Sequence, residues 1–282
     1  MLVRRFNDEY DQEAGLVGGA ADEIRAADAA EPLVRWIVCE SETVVGVASG
    51  RHRPDGRIFV RFHTTQPRGL VQLADFAAAE VGTIHAIAHS ETAKTELEGA
   101  GFAVEVTDDE FAISFDAALR RLGPRRRPRH LVLRPPHELE EQRLVALDTS
   151  LRQDVPGTAG WVTTAEAWRD EIDSPEYDPG GYLIAFDTRL DVYAGLIRFW
   201  RNPDGPRLGL LAVTRPYRGS LLAAALLRAG LTGAGEWGSP TFQTSTSPDN
   251  RGTYQALVRL GATPTSRRYQ MRYTQKPAAR TT

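Results

Sequence analysis

The apolar positions of this chain fall into short alternating runs interleaved with stretches of helical period. Residues 2–6, 34–40, 43–49 and 57–64 carry β-branched and aromatic side chains in such runs and predict strands. A polar region of helical period, 8–27, separates the first two. A helix over 70–80, a strand over 83–88, a helix over 91–98 and two strands, around Val104 and over 111–115, complete this half. The order then starts again. A strand opens at Val132, helices follow over 138–147 and 163–172 with Thr163 or Thr164 as N-cap, and strands 182–186 and 192–200 form a hairpin around 187–191. An apolar run, 208–213, precedes a helix over 221–231 that Gly230, Gly233 and Gly235 are expected to end. A strand over 241–246, a short helix over 251–260 and a closing strand with Tyr269, Met271 and Tyr273 at alternate positions finish the chain.

Internal duplication explains the repeated order. Val3-Arg4-Arg5 opens the first half as Val132-Leu133-Arg134 opens the second. Glu98-Gly99-Ala100-Gly101-Phe102 follows its helix as Val258-Arg259-Leu260-Gly261-Ala262 follows the later one. The offset grows from 129 residues at Val3/Val132 to 160 at Gly101/Gly261, so the second copy is longer by 31 residues in its middle. Gly15, Gly18 and Gly19 echo a dinucleotide loop, but no strand precedes them and the motif is set aside.

Composition adds limits. With 282 residues, 41% hydrophobic and 25% charged, the chain reads as a globular protein of one large or two ordinary domains. No apolar run approaches the roughly 18 residues of a membrane span, and residues 1–6 lack the apolar core of a signal peptide, so a cytoplasmic protein without a membrane partner is expected. Cys39 is the single cysteine, in a strand-like run, and reads as a small buried hydrophobe. His85 and His89 are four apart on a strand and its exit, not along a helical face, and no metal site is expected.

Charge divides the chain. Residues 1–115 carry 20 acidic and 10 basic side chains, residues 116–130 one aspartate and six arginines, and the remainder 16 acidic against 18 basic. With Gly123, Pro124 and Pro128 among its arginines, the middle segment reads as a connector. The expected domains are 1–116, a linker 117–129, and 130–282. The run Arg125-Arg126-Arg127 is short and attached to an acidic half that would repel phosphate, so it reads as a solvated linker without nucleic-acid binding.

The turn after residue 213 carries the candidate chemistry. A helix begins with N–H groups that lack intrahelical partners and with the positive end of its macrodipole. Arg215 and Arg218 add positive charge there, and Gly219 removes the Cβ that would hold a ligand off the backbone. Strand, basic turn and helix together make an anion cradle.

Val213 to Ala223 resembles the acyl-CoA-binding segment of the GCN5-related N-acetyltransferases (GNATs), whose pattern is Arg/Gln-x-x-Gly-x-Gly/Ala after a strand ending in Val. Arg218 and Ala223 fit; Leu221 stands where the family has its middle glycine, a departure that could crowd a pyrophosphate. A second match is similar in spacing: strand 241–246, Asn250, helix, and Gly261 eleven positions later. The resemblance covers about 130–274. It implies an α/β (α+β) fold of two tandem GNAT-like domains, each a mixed, mostly antiparallel twisted sheet flanked by helices. It further implies transfer of an acetyl group from acetyl-CoA to the amine of a small molecule by the C-terminal domain, as monomer or homodimer. Backbone groups of Leu211, Ala212 and Val213 would hold the pantetheine arm and thioester carbonyl. Arg218 and the amides of Gly219, Ser220, Leu221, Leu222 and Ala223 would hold the pyrophosphate, and Asn250 would lie near the sulfur.

In the first half Ser90 stands where Asn250 stands, and the turn at Arg68-Gly69 is short. That half is expected not to bind coenzyme A, like the degenerate copy in tandem members such as the mycothiol synthase-like proteins. The family's usual acid, a tyrosine seven residues after the Asn, is replaced by Leu257; Tyr254 is the substitute candidate. The strand before Val213 has no carboxylate, and Asp154 is the candidate base. The helices over 138–147 and 163–172 correspond to one wall of the family's acceptor site, which Trp161, Trp168, Trp200 and Trp237 could line, with core packing as the alternative. The missing acid and base leave a second reading, a non-catalytic acyl-CoA-binding or protein-interaction module.

Overall fold

A computed structural model describes residues 1–6, 34–41, 43–64, 66–124, 128–156, 158 and 160–275. The helical region expected over 8–27, with Gly15, Gly18 and Gly19, lies outside these residues, as do Arg125, Arg126, Arg127 and Gly157. The chain forms two compact units, one of Met1–Thr107 with Arg267–Thr282, the other of Asp108–Ser266.

The first unit contains β1 (Leu2–Arg5), β2 (Val34–Glu40), β3 (Thr43–His52), β4 (Ile58–Thr64), α1 (Pro67–Val81), β5 (Ile84–Ala88), α2 (Glu91–Gly99) and the start of β6 (Ala103–Ser114). β1 to β4 pair antiparallel in chain order, and β5 adds parallel to β4. The sheet is completed by the last strand of the chain, whose Tyr269–Tyr273 segment pairs antiparallel with β5. α1 has Leu70, Leu73, Ala74, Ala77 and Ala78 on one face, and these pack on Trp36, Val60, Ile84 and Met271 of the sheet.

The second unit begins with the rest of β6 and continues with α3 (Phe115–Leu122), β7 (Leu131–Arg134), α4 (Glu141–Gln153), α5 (Ala165–Asp173), β8 (Tyr182–Asp187), β9 (Val192–Asn202), β10 (Gly205–Val213), α6 (Leu222–Gly235), β11 (Thr241–Thr246), α7 (Arg251–Arg259) and the start of β12 (Thr263–Tyr273). Its sheet order is β6-β11-β10-β9-β8-β7, with β10 and β11 the parallel pair. Side chains of β9 alternate between two cores, as the pleat requires. Ile197 and Phe199 pack with α3 and α6, whereas Leu196 packs with α4 and α5. Thr164 is the N-cap of α5, its hydroxyl accepting from the Ala167 N–H at 3.1 Å.

The two units repeat one topology, in agreement with the duplication read from the sequence. Gly101 and Gly261 occupy equivalent turns after α2 and α7 with φ +98° and +84°, a conformation that favours glycine. Three expectations change. The segment around Val104 and 111–115 is one twelve-residue strand, β6. Residues 115–122, in part assigned to the linker, form α3, because Phe115, Ala118 and Leu122 make an apolar stripe that is buried in the second unit. Gly230 and Gly233 lie inside α6 instead of ending it, for reasons of packing: a Cβ on Gly230 would meet Ile197 at 2.8 Å, and one on Gly233 would meet the Gly180 carbonyl oxygen at 2.1 Å. A backbone carbonyl cannot swing aside as a side-chain tip can. Gly233→Ala is therefore expected to destabilise the protein by about 2–3 kcal/mol through overpacking, measured by chemical denaturation; a loss below about 0.5 kcal/mol would show that α6 and the Gly180 turn separate freely.

Candidate active site

β10 and β11 share a single paired position, Arg207 with Gln243, reinforced where the Thr244 hydroxyl donates to the Leu208 carbonyl at 3.2 Å. Beyond it, residues 210–213 of β10 keep β9 as partner, and β11 keeps β6. The facing edges of the parallel pair thus share no further paired position, and Leu211, Ala212 and Val213 lie on the β10 side of that unpaired stretch. On its other edge β10 bulges against β9 between Leu208 and Leu210. Gly209 is required there, since a Cβ would meet the Trp200 indole nitrogen at 2.6 Å.

Eight residues connect β10 to α6, against two between β4 and α1 in the first unit. The longer turn is anchored at its start and at its middle. The Thr214 N–H donates to the Ala194 carbonyl at 2.9 Å, and the Tyr217 hydroxyl donates to Asp187 at 2.6 Å. Asp187 is fully buried and also accepts from the N–H groups of Arg189 at 2.9 Å and Leu190 at 3.1 Å. Burial, with the bond to Asp187, pushes the Tyr217 phenol up to about 12, so it serves as an anchor and not as an acid near neutral pH.

Gly219 takes φ +75°, and a Cβ there would meet no atom within 4 Å, so the backbone is open to an approaching ligand. The Ser220 hydroxyl accepts from the Leu222 N–H at 3.2 Å and donates to the Tyr217 carbonyl at 2.6 Å. The N–H groups of Gly219, Leu221, Ala223 and Ala224 have no hydrogen-bond partner among the described residues. Four orphan donors at the positive end of a fourteen-residue helix form an anion seat. Leu221, at the position of the family's middle glycine, is 60% exposed.

Arg215 and Arg218 flank this seat, and both are paired with Asp154. Arg215 donates to one carboxylate oxygen at 2.8 Å and Arg218 to the other at 2.6 Å. The two guanidinium groups hold the Asp154 carboxyl down at about 2. A carboxylate so strongly stabilised in its charged form takes a proton from an amine poorly, and its oxygens accept from the cradle arginines.

Asn250 ends the turn after β11 as the N-cap of α7, yet its carboxamide makes no capping bond and no other hydrogen bond among the described residues. Its backbone holds the turn instead, its N–H donating to Ser247 and its carbonyl accepting from Tyr254, both at 2.9 Å. Tyr254 lies one turn on, its ring edge-on to Phe111 and its hydroxyl 3.2 Å from the buried Asp109 carboxylate. That bond gives the hydroxyl a structural partner. Leu257 is buried in the second unit's core.

The first unit shows what the same topology looks like without a seat. Ser90, at the position of Asn250, uses its hydroxyl to cap α2, accepting from the Ala93 N–H at 3.1 Å. At the head of α1 the N–H of Gln66 bonds the Thr64 hydroxyl at 3.1 Å, and the N–H groups of Gly69 and Leu70 bond the Gln66 carbonyl. A Cβ on Gly69 would strike that same hydroxyl at 2.7 Å. This helix start therefore offers fewer free donors, since Pro67 has no N–H and the Gly69 N–H is already bonded to backbone.

A buried ionic network underlies α4 and α5, and residue patterns did not single it out. Asp148 and Arg198 are buried, and Arg152 nearly so. Arg152 donates to Asp148 at 2.5 Å, the Thr163 hydroxyl donates to the same oxygen, and Arg198 of β9 pairs with Glu171 of α5. Burial pushes the Asp148 carboxyl upward, but Arg198, Arg152 and Thr163 overcome it and leave the net shift downward; in Glu171 burial prevails and the shift is upward. The arginines carry the tryptophans expected in the acceptor wall: Arg152 lies 4.5 Å from the Trp161 ring and Arg198 4.9 Å from that of Trp200. Trp168 is a core residue, and Trp237 packs against Gly181 on the α6 side. The available signal was the pair Asp148 and Arg152, four apart on the face of α4 that carries Leu144 and Leu151.

Comparison with solved structures places this geometry in a class: the chain has the GCN5-related N-acetyltransferase fold, over nearly its whole length. It is similar to a GCN5-related N-acetyltransferase from Sphaerobacter thermophilus at 17% identity, with a TM-score of 0.67 over 99% of this chain and 96% of the other. The arrangement is that of the tandem type. A tandem GNAT protein from the clavulanic acid biosynthesis pathway matches 99% of both chains at 14% identity and a TM-score of 0.70. A GNAT-family acetyltransferase from Colwellia psychrerythraea matches 97% of this chain and 100% of its own at 11% identity, with a TM-score of 0.56. No family model and no curated protein matches the sequence.

Proposed function

We propose that this protein is an acetyl-CoA-dependent N-acetyltransferase acting on a small-molecule amine, and that its second unit holds the site. One observation carries the reading: beyond the one paired position of β10 and β11, the turn leads to a helix start with four N–H groups unpartnered among the described residues and two flanking arginines. Those donors suit a pyrophosphate in number and charge. Acetyl-CoA would supply the activated acyl group as a thioester. The exposed backbone edge of Leu211, Ala212 and Val213 would bind the pantetheine arm and polarise the thioester carbonyl. The unused Asn250 carboxamide can both donate and accept beside the departing sulfur. With Asp154 engaged by the arginines, proton removal from the incoming ammonium falls to water, and with Tyr254 engaged by Asp109, so does protonation of the departing thiolate. That last point is also what favours the second reading, an acyl-CoA-binding module without turnover.

Calorimetric titration with acetyl-CoA tests the first step. One site per chain is expected, weakened by Arg218→Ala and indifferent to Arg68→Ala. Two sites would add a second competent unit, and binding that is sensitive to Arg68→Ala but not to Arg218→Ala would move the function to the first unit. Binding of acetyl-CoA without release of free thiol across a panel of primary amines would leave the binding module as the reading that stands.

A further inference from the structure

We propose that Asp154 is a built-in counter-anion of the phosphate seat, and that it restricts the seat to ligands bringing at least a diphosphate. The inference rests on the reading of the seat given above and concerns what that seat selects. Asp154 comes from a distant part of the chain, 61 residues before Arg215 and 64 before Arg218. Its backbone is fixed, since it is the C-cap residue of α4 and its N–H bonds the Leu151 and Arg152 carbonyls. The next residues are held as well: the Val155 N–H donates to Arg152 at 3.2 Å, and the Thr158 hydroxyl donates to Arg152 at 2.8 Å. The carboxylate is thus presented to the arginines at high effective concentration, without loss of chain freedom.

A singly charged anion offers the two guanidinium groups what Asp154 already offers them, and it must also give up its own translational freedom. It has nothing to gain by exchange. A diphosphate brings further charge and enough oxygens to reach the amides of Gly219, Leu221, Ala223 and Ala224, which Asp154 leaves unpartnered. Only such a ligand has a net advantage over the resident carboxylate. Asp154 side-chain exposure of 25% leaves room for the carboxylate to swing out to water when displaced. The displaced group lies at the end of α4, the helix that carries Asp148 and Arg152, so filling the seat changes the charge facing that end of the acceptor wall.

The test is calorimetric titration of the wild type, Asp154→Asn and Asp154→Ser with acetate, inorganic phosphate, inorganic pyrophosphate and coenzyme A, at one ionic strength. Thermal melts accompany the titrations to confirm that each variant is folded. Both variants are expected to bind coenzyme A about tenfold more tightly, because the fraction of seats free to accept it rises. Inorganic phosphate, silent with the wild type, is expected to bind both. Coenzyme A affinity unchanged or weakened in both variants would overturn the proposal while leaving the seat itself in place. No coenzyme A binding by any of the three proteins would instead remove the seat, and the proposal with it.

Discussion

Asp148→Ala is expected to lower the stability of the protein by about 3–5 kcal/mol, the loss that follows when one partner of a buried ion pair is removed. The variant would leave Arg152 and Arg198 facing each other with only Glu171 between them, at 3.9 Å from Arg152. The Thr163 hydroxyl would lose its acceptor as well. Urea denaturation at pH 7 reads the effect, with Asp148→Asn as the companion that keeps the shape and removes the charge. A loss below about 1 kcal/mol in the alanine variant would mean that the arginines satisfy each other's surroundings without it. The pH dependence has a defined sign. The folded-state pKa of Asp148 is depressed, so its contribution is present above the unfolded value near 3.8 and disappears as pH falls through the folded one. Glu171 acts oppositely: its folded pKa is raised, so its contribution is full below about 4.5 and is lost as pH rises through the folded value. As pH rises above about 4.5 the wild type should therefore lose the Glu171 contribution as that carboxyl ionises, and as pH falls below about 3.8 it should lose the Asp148 contribution.

The elements were legible where a local pattern determines them. The strand over 34–40, the strand over 241–246 and the glycine turns at Gly101 and Gly261 follow from alternation and from a backbone conformation only glycine adopts readily. The basic turn could be read as an anion cradle because helix starts present donors whatever surrounds them. Other features depend on what meets a segment from afar. Gly230 and Gly233 look like stop signals in isolation, and only Ile197 and the Gly180 carbonyl make them packing residues. Residues 115–122 look like a charged linker until one counts Phe115, Ala118 and Leu122 on one face. The last strand was assigned to the second copy by its order, yet its Tyr269–Tyr273 segment completes the sheet of the first unit. Asp154 shows the same limit in the site itself. A carboxylate on the acceptor side suggests a base, but the sequence does not show the two arginines, 61 and 64 residues on, that pair with it and hold its carboxyl down at about 2.

Removing both cradle arginines is expected to weaken acetyl-CoA binding about 100-fold, and Arg218→Ala alone about fivefold or more, since each deletes charge-assisted bonds to phosphate oxygens. Arg218 should matter more than Arg215, because it lies next to Gly219 and is 46% exposed against 78% for Arg215. An exposed cation is screened, so the wild-type affinity should fall as salt rises and the double variant should show a flatter dependence. The Asp154→Asn substitution then separates two kinds of contribution. In the wild-type background it should tighten binding, whereas in Arg215→Ala/Arg218→Ala it should change nothing, because the carboxylate has no seat to occupy. That non-additivity distinguishes competition for one seat from a general effect of negative charge near a phosphate, which would persist in both backgrounds. Equal tightening in the two backgrounds would assign Asp154 to long-range repulsion, and the ion pairs with Arg215 and Arg218 would then have no part in ligand choice.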